Sequence, residues 1–177
     1  MTQKEFFRRV TNGKDDFLQA FLDILRRKKV KFCAIGGLAV NAYAEPVVSL
    51  DLDVVVVSED LNSLLPQLKK DFRVETFKNS INLSRRGSGL RIQIQTDRRY
   101  QPFIAKASLK EVLGYKIPVA AIEDVLKGKF WAAMEETRRP SKRQKDFADI
   151  LRLLEVRPTL KRLLPEKLKK RLALGWV

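Results

Sequence analysis

Apolar residues recur along most of the chain with a period near two or near 3.6, and these periods predict its secondary structure. Between Asp15 and Arg27 they recur every three or four positions, which predicts an amphipathic helix. Two apolar runs, at 30–35 and 51–57, predict central strands, and strict alternation predicts a half-buried strand at 90–96. Further strands are predicted at 72–77, 81–85 and 115–119, and helices at 58–68, 121–137, 142–155 and 165–174.

This order of elements predicts an α/β fold in which a small mixed β-sheet is flanked by helices and followed by a helical C-terminal lobe. We expect residues 1–120 to form the α/β core and residues 121–177 to form the basic helical lobe, together within one compact domain. A chain of 177 residues, of which 45% are hydrophobic, is long enough to bury such a core.

Two carboxylates in the second apolar run are the most informative chemical feature. Asp51 and Asp53 flank Leu52, and residues i and i+2 of a strand share a face, so we expect both carboxylates to point to the same side. Close carboxylates repel each other unless a cation lies between them. Oxygen ligands favour Mg²⁺, or Mn²⁺, with substrate phosphates completing the coordination. The alternative is a strand end that meets solvent.

A double glycine, Gly36-Gly37, ends the first apolar run and leads into a short helical stretch predicted at 38–43. The first N–H groups of a helix and the positive end of its dipole suit a phosphate. The alternative is an ordinary turn. The order and spacing of the two features, each preceded by an apolar strand, favour a site for a metal–nucleotide complex.

Two predicted helices in the second half of the chain carry further charged residues. Lys129 falls on the apolar stripe of its helix, where a lysine either extends to a nearby surface or serves a site. In the next helix, Asp146 and Asp149 border the apolar face within the segment Lys145-Asp146-Phe147-Ala148-Asp149. Instead of serving a site, Asp146 and Asp149 could stabilise the start of their helix or form surface ion pairs, which contribute little stability.

These four motifs, in this order, resemble the nucleotidyltransferase superfamily related to DNA polymerase beta. Within it they are most similar to the abortive-infection (AbiEii-like) and toxin-type nucleotidyltransferases. The pattern of those proteins is a Gly-Gly or Gly-Ser turn, an Asp-x-Asp strand, a helical Lys and a Lys/Arg-Asp-x-x-Asp motif. The resemblance covers roughly residues 30–155.

The resemblance implies transfer of a nucleoside monophosphate from an NTP to an acceptor hydroxyl, in a toxin–antitoxin or phage-defence setting with an antitoxin or other partner protein. It implies that Lys129 neutralises phosphate charge and that Asp146 orients Lys129 or acts as the base. The site residues are then the Mg²⁺ or Mn²⁺ ligands Asp51 and Asp53, the nucleotide contacts Gly36, Gly37 and Ser49, and the pair Lys129 and Asp146.

One strand departs from the superfamily pattern, which supplies a third carboxylate beside the Asp-x-Asp strand. Gln93 or Gln95 stands at that place, and a neutral amide can coordinate a metal weakly but cannot abstract a proton. Asp97 lies further along the same face and could replace the acid if the strand reaches the site. The alternative function is therefore a weakly active or inactive member of the superfamily that binds nucleotide, RNA or a partner protein.

Charge indicates the class of partner. The net charge is +15, and the segment from Arg138 to Val177 holds 13 Lys and Arg against 4 Asp and Glu. Such a surface attracts polyanions, which favours an RNA acceptor with a tRNA-like 3′ end. The alternatives are a solubilising surface and an acidic protein partner.

Composition excludes several other chemistries. The chain has no histidine and a single cysteine, Cys33, so it lacks the ligands of a zinc site and the bases of Ser-His-Asp or Cys-His catalysis. No apolar stretch approaches the length of a membrane span, and the first residues do not read as a signal peptide. We therefore expect a cytoplasmic protein without a membrane partner.

Overall fold

The computed structural model of the protein describes residues 1–11 and 16–174. Within these residues seven strands form one mixed sheet. The strands are β1 (Phe32–Ile35), β2 (Asp51–Val56), β3 (Arg73–Thr76), β4 (Ser80–Ser84), β5 (Arg91–Gln95), β6 (Ser108–Val112) and β7 (Tyr115–Val119). Their order in the sheet is β3-β4-β5-β2-β1-β7-β6. The pairs β2/β5 and β1/β7 are parallel, and the other four pairs are antiparallel.

Helices pack around this sheet. They are α1 (Gln3–Val10), α2 (Phe17–Arg27), α3 (Gly36–Val40), α4 (Ser58–Asp71), α5 (Ile122–Met134), α6 (Pro140–Val156) and α7 (Glu166–Leu174). Two 3₁₀ segments, Arg98–Lys106 and Pro158–Leu163, connect β5 to β6 and α6 to α7. The short α3 contacts β1, β2, α5 and α6, so it joins the sheet to the helical part of the chain.

The core is built from the strands predicted to be apolar. Cys33 and Ala34 of β1 and Leu52, Val54 and Val55 of β2 have no exposed surface. Burial also raises the pKa of the Cys33 thiol to about 12. On α2, Phe21, Leu22 and Leu25 are almost fully buried, as the helical spacing of that segment predicts.

The predicted fold class, a mixed sheet with flanking helices, is confirmed. The division of the chain at residue 120 stays a prediction. None of the helices within the described residues is long and apolar enough to cross a membrane.

Several boundaries differ from the sequence-based expectations. The pattern did not predict α1 or the edge strand β6, and a 3₁₀ helix occupies the loop expected around Pro102. Helix α6 begins at Pro140 rather than at residue 142, because proline is well suited to the first turn of a helix. Helix α2 is assigned from Phe17, and Asp15 lies outside the described residues.

Candidate active site

The register of the sheet brings polar side chains of three strands to one face. In the parallel pair β2/β5, Asp51 lies beside Arg91 and Asp53 lies beside Gln93. In the antiparallel pair β4/β5, Gln93 lies beside Asn82. Registered neighbours share a face of a sheet, so these five side chains form two adjacent polar rows at the beginning of β2 and β5.

The polar rows form one wall of a cavity of about 200 Å³. Helices α5 and α6 and the loop between them supply the opposite wall, and Gly37 and Ser49 lie at its side. The charged groups that line the cavity are five cations and three carboxylates: Arg91, Lys129, Arg138, Lys142 and Lys145, with Asp51, Asp53 and Asp146. A cavity with an excess of cations beside two strand carboxylates suits a polyphosphate together with a metal ion.

Asp51 is held by two cations. Arg91 donates to its Oδ1 from Nε at 2.9 Å and from Nη2 at 2.8 Å, and Lys142 donates to its Oδ2 at 3.3 Å. Partial burial disfavours the charged form, but Lys142 and Arg91 outweigh it and hold the pKa of Asp51 below its usual range. Asp51 is therefore ionised and has two cationic partners in the structure.

Asp53 has the opposite environment. Burial is the main cause that raises the pKa of Asp53 above its usual range, the charges of Asp51 and Asp146 add to it, and Lys129 and Arg138 offset part of it. Its carboxylate lies against Gly36, whose φ is +71° and where a Cβ would stand 2.1 Å from Oδ2 of Asp53. Only glycine leaves room for this carboxylate and adopts that backbone conformation without strain.

Lys129 links the two helices of the opposite wall. Its side chain, which is 7% exposed, contacts Oδ1 of Asp146 at 3.0 Å and Oδ2 of Asp149 at 2.6 Å. Burial would lower the pKa of Lys129, but the carboxylates of Asp149 and Asp146 raise it above its ordinary value, so the ammonium stays charged. Arg138 donates to the second oxygen of Asp146 at 2.8 Å. Both oxygens of Asp146 therefore face cations.

The ion pair between Lys129 and Asp149, continued by hydrogen bonds, connects Lys129 to the segment before β2. Asp149 accepts from Arg152 at 2.7 Å, and Arg152 donates at 2.8 Å to the side-chain oxygen of Asn41 and also to the carbonyl of Glu45. Asn41 in turn bonds both backbone groups of Val47, at 3.0 Å to its N–H and 2.7 Å to its carbonyl. This tie fixes the segment that carries Ser49 into β2.

Two of the three predicted nucleotide contacts, Gly37 of α3 and Ser49 before β2, line the cavity. Gly37 faces Ser49, since a Cβ at Gly37 would stand 3.7 Å from the Ser49 hydroxyl oxygen. The helix predicted at 38–43 is observed as α3 at Gly36–Val40, followed by a turn. Five residues are too few for a developed helix dipole, so the electrostatic attraction of this site for phosphate comes from the cations rather than from α3.

The donor set fits a hard divalent cation only in part. Asp51 and Asp53 offer carboxylate oxygens on one strand face. The side-chain oxygen of Asn82, in the same row as Asp53, is buried without a hydrogen-bond partner. No cluster of three acidic, histidine or cysteine ligands occurs among residues 1–11 and 16–174. Mg²⁺ at this place would therefore need the oxygens of a bound triphosphate to complete its shell.

The candidate third acid of the sequence analysis does not lie at the site. Asp97 follows the end of β5, where it caps the 3₁₀ helix through the N–H of Arg99 and pairs with the Arg99 guanidinium at 2.7 Å. The condition under which Asp97 could replace the missing carboxylate is not met, because β5 ends at Gln95 and Asp97 does not line the cavity. The amide of Gln93, beside Asp53, occupies the position in question.

Sequence reasoning missed several residues of the cavity wall. Arg91 alternates with Gln93 and Gln95, so its place on the same face follows from the strand period. Lys142 lies in the basic segment before Asp146, where nothing in the sequence distinguishes a cavity residue from surface charge. The tie through Arg152 and Asn41 has no local signal, since it joins residues far apart in the chain.

Solved structures share this fold at low sequence identity. The chain is similar to the antibiotic-resistance factor ANT(2″)-Ia, with 15% identity, coverage of 88% of this chain and 91% of the other, and a TM-score of 0.58. It is similar to the lincosamide antibiotic adenylyltransferase LnuA bound to lincomycin, with 16% identity, coverage of 82% and 99%, and a TM-score of 0.57. A nucleotidyltransferase-like protein from Paracoccidioides brasiliensis gives 16% identity, coverage of 87% and 78%, and a TM-score of 0.54.

No curated protein matches the chain in sequence. Residues 24–174 match the family model described as the nucleotidyl transferase AbiEii toxin of type IV toxin–antitoxin systems. That segment contains the double glycine, both aspartates of β2, Lys129 and the pair Asp146 and Asp149. The match extends over most of the chain, and the chain therefore belongs to the AbiEii family of nucleotidyltransferases.

Proposed function

We propose that the chain transfers a nucleoside monophosphate from an NTP to a hydroxyl of an RNA with a tRNA-like 3′ end, with Mg²⁺ or Mn²⁺. The observation that carries this proposal is the cavity in which Asp51 and Asp53 of one strand face five cations. Two carboxylates hold a metal with a triphosphate, and the cations balance the remaining phosphate charge. Membership of a toxin family supports an antitoxin as a further partner.

In the proposed reaction the acceptor oxygen attacks the α-phosphorus of the NTP, and its proton passes through solvent to the leaving pyrophosphate. The bond from the α-phosphorus to the bridging oxygen breaks, and pyrophosphate leaves with the electron pair. A divalent ion held by Asp51 and Asp53 would supply charge neutralisation at the phosphates. Gly36 and Gly37 would allow the backbone to approach the triphosphate, and Ser49 would add a hydroxyl beside it.

The helices then contribute positive charge at fixed positions. Lys129 and Arg138 are held by Asp146, so they need little reorganisation when a phosphate binds. Lys142 and Arg91 contact Asp51 in the structure, and they would bind phosphate oxygens instead if Asp51 served as a metal ligand. Since both oxygens of Asp146 face cations, orienting these cations is the role we propose for Asp146, ahead of the role of base.

The charge of the chain supports an RNA acceptor. The net charge is +15, and contacts to phosphates dominate the affinity of proteins for nucleic acids. The cations of the cavity continue this positive charge into the proposed site.

Incubation with each of the four NTPs, labelled at the α-phosphate, together with Mg²⁺ and total RNA tests the proposal. We expect label in RNA with at least one NTP. The Asp53→Asn variant should give no label, although its circular dichroism spectrum should equal that of the native chain. Label in protein rather than in RNA would contradict the proposal that RNA is the acceptor. Absence of label with every NTP would contradict the transfer reaction.

The position of Gln93 favours a second candidate, a member that binds nucleotide without chemistry. Gln93 lies beside Asp53, where an acid would serve as an additional metal ligand and base, and an amide cannot accept the proton. Under this function the native chain binds NTP with Mg²⁺ but transfers nothing, and Gln93→Asp creates transfer activity. If native and variant chains both transfer the nucleotide, this candidate is excluded.

A further inference from the structure

A second, smaller cavity of about 80 Å³ also borders Asp53. The two cavities share Asp53, Gln93, Lys129, Arg138 and Asp146 as common lining. A group in the smaller cavity and a phosphate in the larger one would therefore meet at Asp53. The residues that line only the smaller cavity are Ile35, Gly36, Gln95, Tyr100, Gly128 and Ala132.

These six residues carry no charge, whereas four of the five residues shared with the larger cavity are charged. Arg91, Lys142 and Lys145 line only the larger cavity, which therefore suits the triphosphate. Apart from the five shared residues, the polar side chains of the smaller cavity are the amide of Gln95 and the phenol of Tyr100. Burial raises the pKa of Tyr100 to about 12, so its hydroxyl is neutral and can donate and accept a hydrogen bond.

Both polar side chains are held in place. The side-chain oxygen of Gln95 accepts from the N–H of Asp97 at 3.1 Å, which leaves the amide nitrogen as the donor that Gln95 can offer a ligand. The ring of Tyr100 contacts Phe103 and Trp131 edge-on, with ring centroids 5.3 Å apart in both pairs. A Cβ at Gly128 would stand 3.1 Å from the Tyr100 ring, so helix α5 packs closely against it.

We propose, on the basis of the proposed function, that the smaller cavity binds the terminal ribose of the acceptor RNA and that Gln95 and Tyr100 recognise its hydroxyls. The attacking hydroxyl must reach the α-phosphorus beside Asp53, which both cavities share. Neutral hydrogen-bonding groups match the 2′- and 3′-hydroxyls, which each donate and accept. A site built to hydrogen-bond a hydroxyl rejects an analogue that lacks it, because its buried polar groups are then unpaired.

The test compares two short RNA oligonucleotides that differ only at the 3′ end, one with a normal ribose and one with a 2′,3′-dideoxyribose. Both carry a fluorophore at the 5′ end, and affinity is measured by anisotropy at low salt. The chain has two tryptophans, so Trp176→Phe leaves Trp131, next to Tyr100, as the reporter of occupancy. We expect the dideoxy RNA to bind about tenfold more weakly and to change Trp131 fluorescence less.

Two variants connect this difference to the cavity. Tyr100→Phe removes the hydroxyl, and Gln95→Glu keeps the acceptor for the N–H of Asp97 but removes the amide donor. Each should reduce the preference for the ribose end to within about twofold and leave NTP binding unchanged. Tyr115→Phe, a matched control, loses its bond to Asp16 in another part of the structure and should keep the full preference.

The outcomes separate this inference from the function on which it rests. Equal binding of both RNAs, a preference that survives in both variants, or a preference without any response of Trp131 would each overturn the ribose assignment while the RNA acceptor stands. If neither RNA binds at low salt, the RNA acceptor fails, and the ribose assignment fails with it.

Discussion

Asp51 and Asp53 are two residues apart on one strand face but differ in electrostatic environment. Asp51 contacts Arg91 and Lys142, and its pKa is lowered. Asp53 is placed against Gly36, and burial raises its pKa. A carboxylate that is disfavoured in its charged form stores free energy that a bound cation would release. This contrast is the residue-scale property that a metal–nucleotide site needs.

Replacement of Asp53 by Asn should therefore stabilise the protein at neutral pH in the presence of EDTA. Since the folded-state pKa is raised above the unfolded value of 3.8, the contribution of Asp53 to stability is present at low pH and is lost as pH rises through the folded pKa. We expect Asp53→Asn to raise the free energy of unfolding by about 1 kcal/mol at pH 7. Urea denaturation at a series of pH values measures this gain, which should shrink as pH falls toward 3.8.

Asp51→Asn is the matched control and should have the opposite sign. The folded pKa of Asp51 is lowered, so its stabilising contribution is present above the unfolded value and is lost as pH falls through the folded pKa. The variant should be less stable than the native chain at pH 7. Equal effects of the two substitutions would contradict the assigned environments.

At the scale of elements, the site depends on the contact of α6 with α3. The bonds from Lys129 through Asp149, Arg152 and Asn41 to Val47 tie the segment before β2 to the helical wall. Arg152 bonds to Asn41 and Glu45, which are both more than one hundred positions away in the chain. The position of Ser49 and the start of β2 is therefore set by packing between elements, not by local sequence.

Asn41→Ala should loosen this segment while the fold persists. The side chain of Asn41 accepts from the N–H of Val47, so its loss exposes that N–H to exchange. A hydrogen bond to a polar side chain is worth about 1 kcal/mol, which corresponds to roughly fivefold to tenfold faster hydrogen exchange of the Val47 amide. Arg157→Met, which removes an exposed ion pair with Glu123, should leave this amide unchanged. Unchanged exchange in Asn41→Ala would contradict the tie.

These two scales mark what could be predicted from the sequence. The period of two predicts that Asp51 and Asp53 share a face of β2 and that Gln93 and Gln95 share a face of β5, and the apolar runs predict the central strands. The register that joins these two faces comes from the structure. The edge strand β6 could not be predicted because Leu109 is exposed and its neighbours are polar, so the segment has no apolar alternation. The bonds among Lys129, Asp149 and Asn41 could not be predicted, since they depend on how α5, α6 and α3 pack.

At the scale of the whole molecule, ligand binding should appear as a change in thermal stability. Two carboxylates form an incomplete cage, and the triphosphate supplies the missing oxygens. We expect the melting temperature to rise with Mg²⁺ and NTP together by more than the sum of their separate effects, by linkage of binding to folding. Differential scanning fluorimetry measures the melting temperature with each ligand and with both. Additive effects, or none, would contradict a joint metal–nucleotide site, and Asp51→Asn should abolish the joint effect.

The charge of the molecule predicts a salt-dependent affinity for RNA. The logarithm of the binding constant should fall linearly with the logarithm of salt concentration, with a slope of about −0.7 for each phosphate neutralised in a single strand. Reversal of the exposed Lys167 and Lys170 of α7 to Glu should weaken binding and reduce this slope. The same charge change at the exposed Lys69 and Lys70 of α4 is the control and should have less effect. Equal losses would argue against a role of the C-terminal helices.

Cys33 is a natural probe of local unfolding in the central sheet. The thiol has no exposed surface, and its pKa of about 12 keeps it protonated, so a thiol reagent reacts only when β1 separates from its neighbours. Because it is the only cysteine, the labelling rate counts these events without interference. We expect labelling of the native chain to be slow and to accelerate with urea. A cysteine introduced at an exposed position could then be labelled selectively, and Cys33 would not have to be replaced.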